Sequence, residues 1–247
     1  MRGTLGLAAA LPLAPLLVWQ GRRVRRDTPK LPEAEGEREG RVGTDRIGRP
    51  LRLLIVGDSS AAGVGATLQS DALSGRLTGL IGASLVRPLD WRLVARTGIT
   101  TREALALLEE TPADPFDVAV VALGVNDVTA LRLVPRWLGD VERLHVRLHA
   151  RHRVRRVLWS GLPPMHRFPA LPQPLRGVMG LHARALDAAL GRWCGARPGG
   201  VRPLATHVPM PAMTDPALVA SDGFHPGPGA YRVWAAAIAP HVLGRHR

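Results

Sequence analysis

Two apolar runs, LRLLIV at 51–56 and VAVVAL at 118–123, constrain this chain more than any other feature in it. Arg52 aside, neither run alternates as a half-exposed strand would. Both suit central parallel strands covered on both faces. Each ends at a glycine, Gly57 or Gly124, followed by polar residues. The first run delivers Asp58 and Ser59 to a small-residue stretch, SAAGVG, which we read as the turn into a helix and as room for a ligand to approach the backbone.

Further elements alternate along the chain. Leu73, Leu77, Leu80 and Ile81 recur at helical spacing within 68–85, and 91–95 reads as a strand. Thr100 and Glu103 form a capping-box pattern for a helix through Leu108. The spacing of Trp137, Val141, Leu144 and Leu148 predicts a helix over 134–150. A strand follows at 156–160, a helix at 175–193, a short fifth strand at 201–205 and a final helix at 230–243, with Val233 or Trp234 aligned with Ile238 and Val242. This order predicts a three-layer α/β/α sandwich with a mostly parallel, flavodoxin-like sheet of about five strands. Ligands in such folds bind beyond the carboxyl ends of the strands, where Ser59, Gly98 and Asn126 fall. Asp222 and His225 lie in the loop before the last helix.

Upstream of this domain, 51–247, two further segments are distinguished. Residues 1–20 hold an apolar stretch, Thr4 to Trp19, that is short of the ~20 residues a membrane span needs and contains two prolines. Arg22, Arg23, Arg25 and Arg26 follow it, and no small-residue cleavage site does. The expectation is an uncleaved, membrane-associating N-terminus with the domain on the cytoplasmic side; export to the periplasm is the alternative. Residues 21–50, basic and then rich in Pro, Gly and charge, read as a linker.

Composition narrows the function classes. The chain carries 33 Lys and Arg against 20 Asp and Glu, a net charge of +13, which suits anionic surfaces, nucleic acid or membrane. With three Phe and one Tyr it is poorly supplied for stacking on bases, so a plain basic surface is the leading reading, nucleic acid is disfavoured, and association with an anionic membrane surface lies between the two. The single cysteine, Cys194, excludes an internal disulfide framework and reads as a buried side chain. His145, His149 and His152 read as a solvated basic helix face. The first two have metal-ligand spacing but no carboxylate to complete a set, so no metal is expected.

Four blocks, in order, resemble those of the SGNH or GDSL hydrolase superfamily: GDSSAAGVG at 57–65, Gly98 in ARTGITT, GVND at 124–127 and DGFH at 222–225. The resemblance spans Leu51 to the C-terminus and implies a serine esterase with Ser59 as nucleophile. The chemistry is consistent with it. A serine hydroxyl needs an adjacent base, which His225 can be, while Asp222 accepts the other imidazole N–H. The N–H groups of Ser59 and Gly98 and the amide of Asn126 are the candidate oxyanion donors, with a helix N-terminus favouring the first. Glycine at 98 keeps a side chain out of that approach. Asp58 and Asp127 read as loop-holding residues. The loop 161–174 is expected to wall an acyl pocket with Met165, Phe168 and Leu171.

The resemblance implies hydrolysis of a small-molecule ester, lipid, acyl or acetyl, with no cofactor. Thioester cleavage and carbohydrate deacetylation use the same apparatus, and a binding protein on a hydrolase fold is the non-enzymatic alternative.

Overall fold

The computed structural model describes residues 11–197, 203–213 and 215–244. Among them the two apolar runs become β2 (Leu51–Gly57) and β4 (Val118–Ala122), hydrogen-bonded to each other in parallel from Leu53↔Val118 to Gly57↔Ala122. Alternate residues of β2 enter different cores, which is why the run shows no polar face. Leu54 and Val56 join Ala119 and Val121 on one side, whereas Leu53 and Ile55 join Val118 and Val120 on the other.

Helices cover both faces. On the first lie α3 (Thr101–Glu110), α5 (Val134–His152) and α6 (Leu175–Gly195), contributing Leu108, Trp137, Val141, Leu144, Leu148 and Leu186. On the second lie α2 (Leu73–Ser84) and α7 (Pro228–Leu243), contributing Leu73, Leu77, Ile81, Trp234, Ile238 and Val242. Leu80 and Val233 point outward. The expected capping box at Thr100 is complete: Thr100 Oγ1 accepts the Glu103 N–H, and Glu103 accepts the Thr100 N–H at 2.8 Å.

The sheet has six strands, not about five. With β1 (Glu39–Val42), β3 (Leu89–Ala95), β5 (Arg156–Ser160) and β6 (Leu204–Val208), the order is β1-β3-β2-β4-β5-β6. All neighbouring pairs are parallel except β1 with β3. The extra strand corrects the reading of 21–50 as linker throughout. EGRV carries no apolar pattern because β1 is an almost fully exposed edge, held by its ladder and by ion pairs of Arg41 with Asp90 and Arg92 with Glu39. The last strand is displaced from the expected 201–205 to Leu204–Val208; residues 201 and 202 lie outside the described residues. Chain order reverses across β2, with β3 on one side and β4 on the other. This crevice at the strands' carboxyl ends is where such sheets bind ligands.

The N-terminal apolar segment is described from residue 11 onward. Its end and the four arginines form one helix, α1 (Ala14–Asp27), whose Leu17 and Val24 pack on the first core. Gln20 is buried and clamps the start of α6: its Nε2–H donates to the Gln173 carbonyl at 2.7 Å, and its Oε1 accepts the Leu175 N–H at 3.1 Å. Among the described residues no helix is long and apolar enough to cross a membrane.

The histidines of α5 depart from expectation. His145 and His152 are buried rather than solvated, because that helix face packs inward. His145 stands edge-on to the Trp193 ring at 5.2 Å and bonds the Pro203 carbonyl through Nε2 at 3.0 Å. Cys194 is buried as expected, and burial pushes its thiol up to about 12.

Candidate active site

Ser59 lies two residues past Gly57, the end of β2. Its Oγ–H donates to His225 Nε2 at 2.9 Å, and His225 Nδ1–H donates to Asp222 Oδ2 at 2.5 Å. The other Asp222 oxygen accepts the N–H groups of Phe224 and His225, each at 2.9 Å. Burial pushes the Asp222 carboxyl up, but the His225 ring and these two N–H groups outweigh burial and hold it below the ordinary carboxylate value. The result is an ionised, buried carboxylate that fixes one imidazole tautomer and leaves Nε2 free to take the serine proton.

Sequence-remote loops meet here because the turn after Ser59 is shaped to receive the His225 loop. Gly65 has φ +98°, and a Cβ there would lie 2.2 Å from the Pro226 carbonyl oxygen. Tyr231 Oη–H donates to the Val64 carbonyl at 2.7 Å, tying the same turn to α7. One expectation is corrected in this stretch. Residues 59–65 are turns and not the first turn of a helix, since Gly63 and Gly65 adopt positive φ and α2 begins only at Leu73. No regular helix dipole therefore acts on the Ser59 N–H.

Asn126 lies on the short helix α4 (Val125–Thr129), an element absent from the sequence reading. One hydrogen of its Nδ2 goes to the Ile99 carbonyl at 2.9 Å, leaving the second hydrogen of that amide for another acceptor. The same bond ties the Gly98 loop to the Asn126 loop. Gly98 is exposed with φ +83°, and a Cβ there would meet no protein atom within 4 Å. Within the protein, then, glycine is required by backbone conformation and not by crowding. Among the described residues, neither the Ser59 nor the Gly98 N–H donates to a protein acceptor.

The flanking aspartates hold loops, as their positions suggest. Asp58 accepts the Ser60 N–H at 3.0 Å and hydroxyl at 2.8 Å, and burial pushes its carboxyl up to about 6. Asp127 accepts the Thr101 N–H at 2.9 Å and hydroxyl at 2.7 Å, and Trp137 Nε1–H donates to that hydroxyl at 3.0 Å. Burial raises the Asp127 carboxyl against these bonds.

A cavity of about 160 Å³ opens at Ser59, lined by Ser160, Phe168, Met210, Leu218 and Trp234 among others. Of the three expected wall residues only Phe168 lines it. Its ring meets Phe224 edge-on at 5.0 Å, and Phe224 in turn lies 5.3 Å from the His225 ring. Met165 is fully buried in the first core, because its short 3-10 turn packs against α6 and directs it inward. Leu171 lines a second cavity, of about 740 Å³, on the α1 side of His225. Missed altogether was 210–219, whose Met210, Met213 and Leu218 complete the Ser59 cavity. Like 161–174 it mixes prolines with apolar side chains, Pro211 and Pro216 beside Met210, Met213 and Leu218, and that mixture was the available signal. Among the described residues no three His, Cys, Asp or Glu side chains are grouped so as to hold a metal ion.

The family model described as GDSL-like Lipase/Acylhydrolase family matches residues 55–233. The chain is 27% identical to the GDSL-like esterase Rv1075c of Mycobacterium tuberculosis over 95% of this chain and 81% of that protein. In fold it resembles the lipase Lip_vut3 from a goat rumen metagenome, with a TM-score of 0.63, 17% identity and coverage of 80% of this chain and 99% of that one. It also resembles Axe2, an acetylxylan esterase from Geobacillus stearothermophilus, with a TM-score of 0.56, 17% identity and coverage of 80% and 96%.

Proposed function

The chain belongs to the GDSL-like lipase/acylhydrolase family and is a carboxylic ester hydrolase, and from that premise we propose that it cleaves short-acyl esters through an acyl-Ser59 intermediate. The observation that carries this reading is the unbroken relay from Ser59 through His225 to Asp222. Ser59 Oγ adds to the ester carbonyl carbon as its proton passes to His225 Nε2. The acyl C–O bond then breaks, and the same proton moves to the departing oxygen, giving free alcohol and acyl-Ser59. Water adds next, losing a proton to Nε2; rupture of the Ser59 ester returns that proton to Oγ and releases the carboxylic acid.

Charge that develops on the carbonyl oxygen is stabilised by the Ser59 and Gly98 N–H groups and the second Asn126 amide hydrogen, for which no protein acceptor competes among the described residues. A short acyl group is favoured by the size of the cavity that Ser59 lines, since the carbon bonded to Oγ must lie within it.

The test uses p-nitrophenyl esters of graded acyl length. Wild-type protein is expected to prefer acetate or butyrate to octanoate and to be labelled at Ser59 by a fluorophosphonate. Ser59→Ala and His225→Ala are each expected to lower kcat by roughly 10⁴-fold or more. Full turnover by folded Ser59→Ala would overturn the assignment.

A further inference from the structure

The 740 Å³ cavity is a groove between α1 and α6 that ends at the reaction centre. Ala14, Val18 and Gly21 of α1 face Leu175, Val178 and Met179 of α6 across it, and Asn126 and His225 line it as well. Ser59 lines the smaller cavity and not this one, while His225 lines both. The acyl carbon must bond Ser59, so the acyl part occupies the smaller space. The departing oxygen takes its proton from His225, so the alcohol part can extend into the groove.

The charges along the groove say what kind of alcohol fits. Arg22, Arg25 and Lys30 line it, and among the described residues none of them makes an ion pair. Arg23 and Arg26, on the same helix but outside the groove, both pair with Asp27. After α1 the chain runs past Lys30 to Glu33, whose carboxylate accepts the Thr97 N–H and hydroxyl, each at 2.7 Å. That anchor sets the cationic end of the groove beside the Gly98 loop, with the apolar stretch of α1 beyond it. Three uncompensated cations over an apolar floor are complementary to a chain that carries both a hydrocarbon portion and a negative charge.

We infer that this groove, with α1 as its wall, binds the alcohol portion of an anionic amphiphilic ester. The inference rests on the acyl-Ser59 reading for its orientation, but binding itself can be measured without turnover. Gly21 offers a clean obstruction, since a Cβ there meets nothing within 4 Å and a larger side chain would project into the groove.

The decisive experiment titrates decyl phosphate and decanol into full-length Ser59→Ala protein by isothermal titration calorimetry. Decyl phosphate is expected to bind at least roughly tenfold more tightly than decanol. Adding Gly21→Leu, or replacing Arg22, Arg25 and Lys30 together with alanine, should weaken decyl phosphate by roughly tenfold. Arg232→Ala, which removes a cation lining neither cavity, should not. With active enzyme, the kcat/KM ratio of ω-acetoxydecanoate to its methyl ester should exceed one and fall toward one in the triple variant. Equal binding of the two probes, unchanged binding in both groove variants, or an equal loss in Arg232→Ala would overturn the inference. Failure of the acyl-Ser59 reading would look different: probe binding would persist while wild-type protein hydrolysed p-nitrophenyl acetate no faster than Ser59→Ala.

Discussion

The Asn126 amide holds the Gly98 loop through one hydrogen bond to the Ile99 carbonyl, its second hydrogen is left for another acceptor, and the residue lines the groove together with His225. Asn126→Ala is therefore expected to lower kcat by roughly 10²- to 10³-fold with a smaller change in KM, measured on p-nitrophenyl acetate. The aromatic edge contact from Phe168 through Phe224 to His225 bounds the Ser59 cavity. Phe168→Ala should enlarge it and move the acyl-length optimum upward by two or more carbons on the same ester series. Met165, placed by sequence reasoning in the same wall, should behave differently. Met165→Ala is expected to cost about 2–5 kcal/mol of stability in urea titrations, as deletion from a filled core does, and to leave the acyl-length profile unmoved.

At the scale of elements, α1 is the feature whose role changes most between sequence and structure. Its basic second half reads as the flank of an apolar segment, yet the helix runs unbroken from Ala14 to Asp27, with Gln20 bonded to both sides of Pro174 at the start of α6. Removing that side chain would take the partner from the part-buried Gln173 carbonyl and leave the buried Leu175 N–H unpaired, a local cost of about 1–3 kcal/mol for the latter. Gln20→Ala should therefore speed tryptic cleavage at Arg22 to Arg26 under native conditions while the thermal midpoint of the main domain shifts little. Equal cleavage rates in variant and parent would show that α1 is held by its apolar contacts alone. Strand β1 makes a similar point, since an edge strand needs only one partner and this one packs a single side chain, Val42, on the core.

For the molecule as a whole, two buried groups give stability opposing dependences on pH. Burial pushes Asp58 up to about 6, above its ordinary 3.8, so folding takes up a proton in that window and stability falls as pH rises through it. Burial lowers His145 to about 4, below its ordinary 6.5, so its contribution is present above 6.5 and is lost as pH falls toward 4. Asp58→Asn keeps an acceptor for Ser60 and removes the first effect. The variant is expected to be more stable than wild type at pH 7, by up to roughly 3 kcal/mol, and to lose stability more steeply on acidification from 6 to 4 in urea titrations. The sequence by itself determined the three layers and the order of their elements, because burial on both faces of Leu51–Gly57 and Val118–Ala122 requires covering helices. Through their resemblance to the SGNH or GDSL hydrolases, its four blocks also singled out Ser59, Gly98, Asn126, Asp222 and His225, the first three of them just past the carboxyl ends of predicted strands. Tertiary structure alone decided what surrounds them. Whether Met165 faces cavity or core, whether α5 exposes or buries His145, and that α1 walls a groove at His225 depend on the packing of residues far apart in the chain, and local pattern carries no record of that packing.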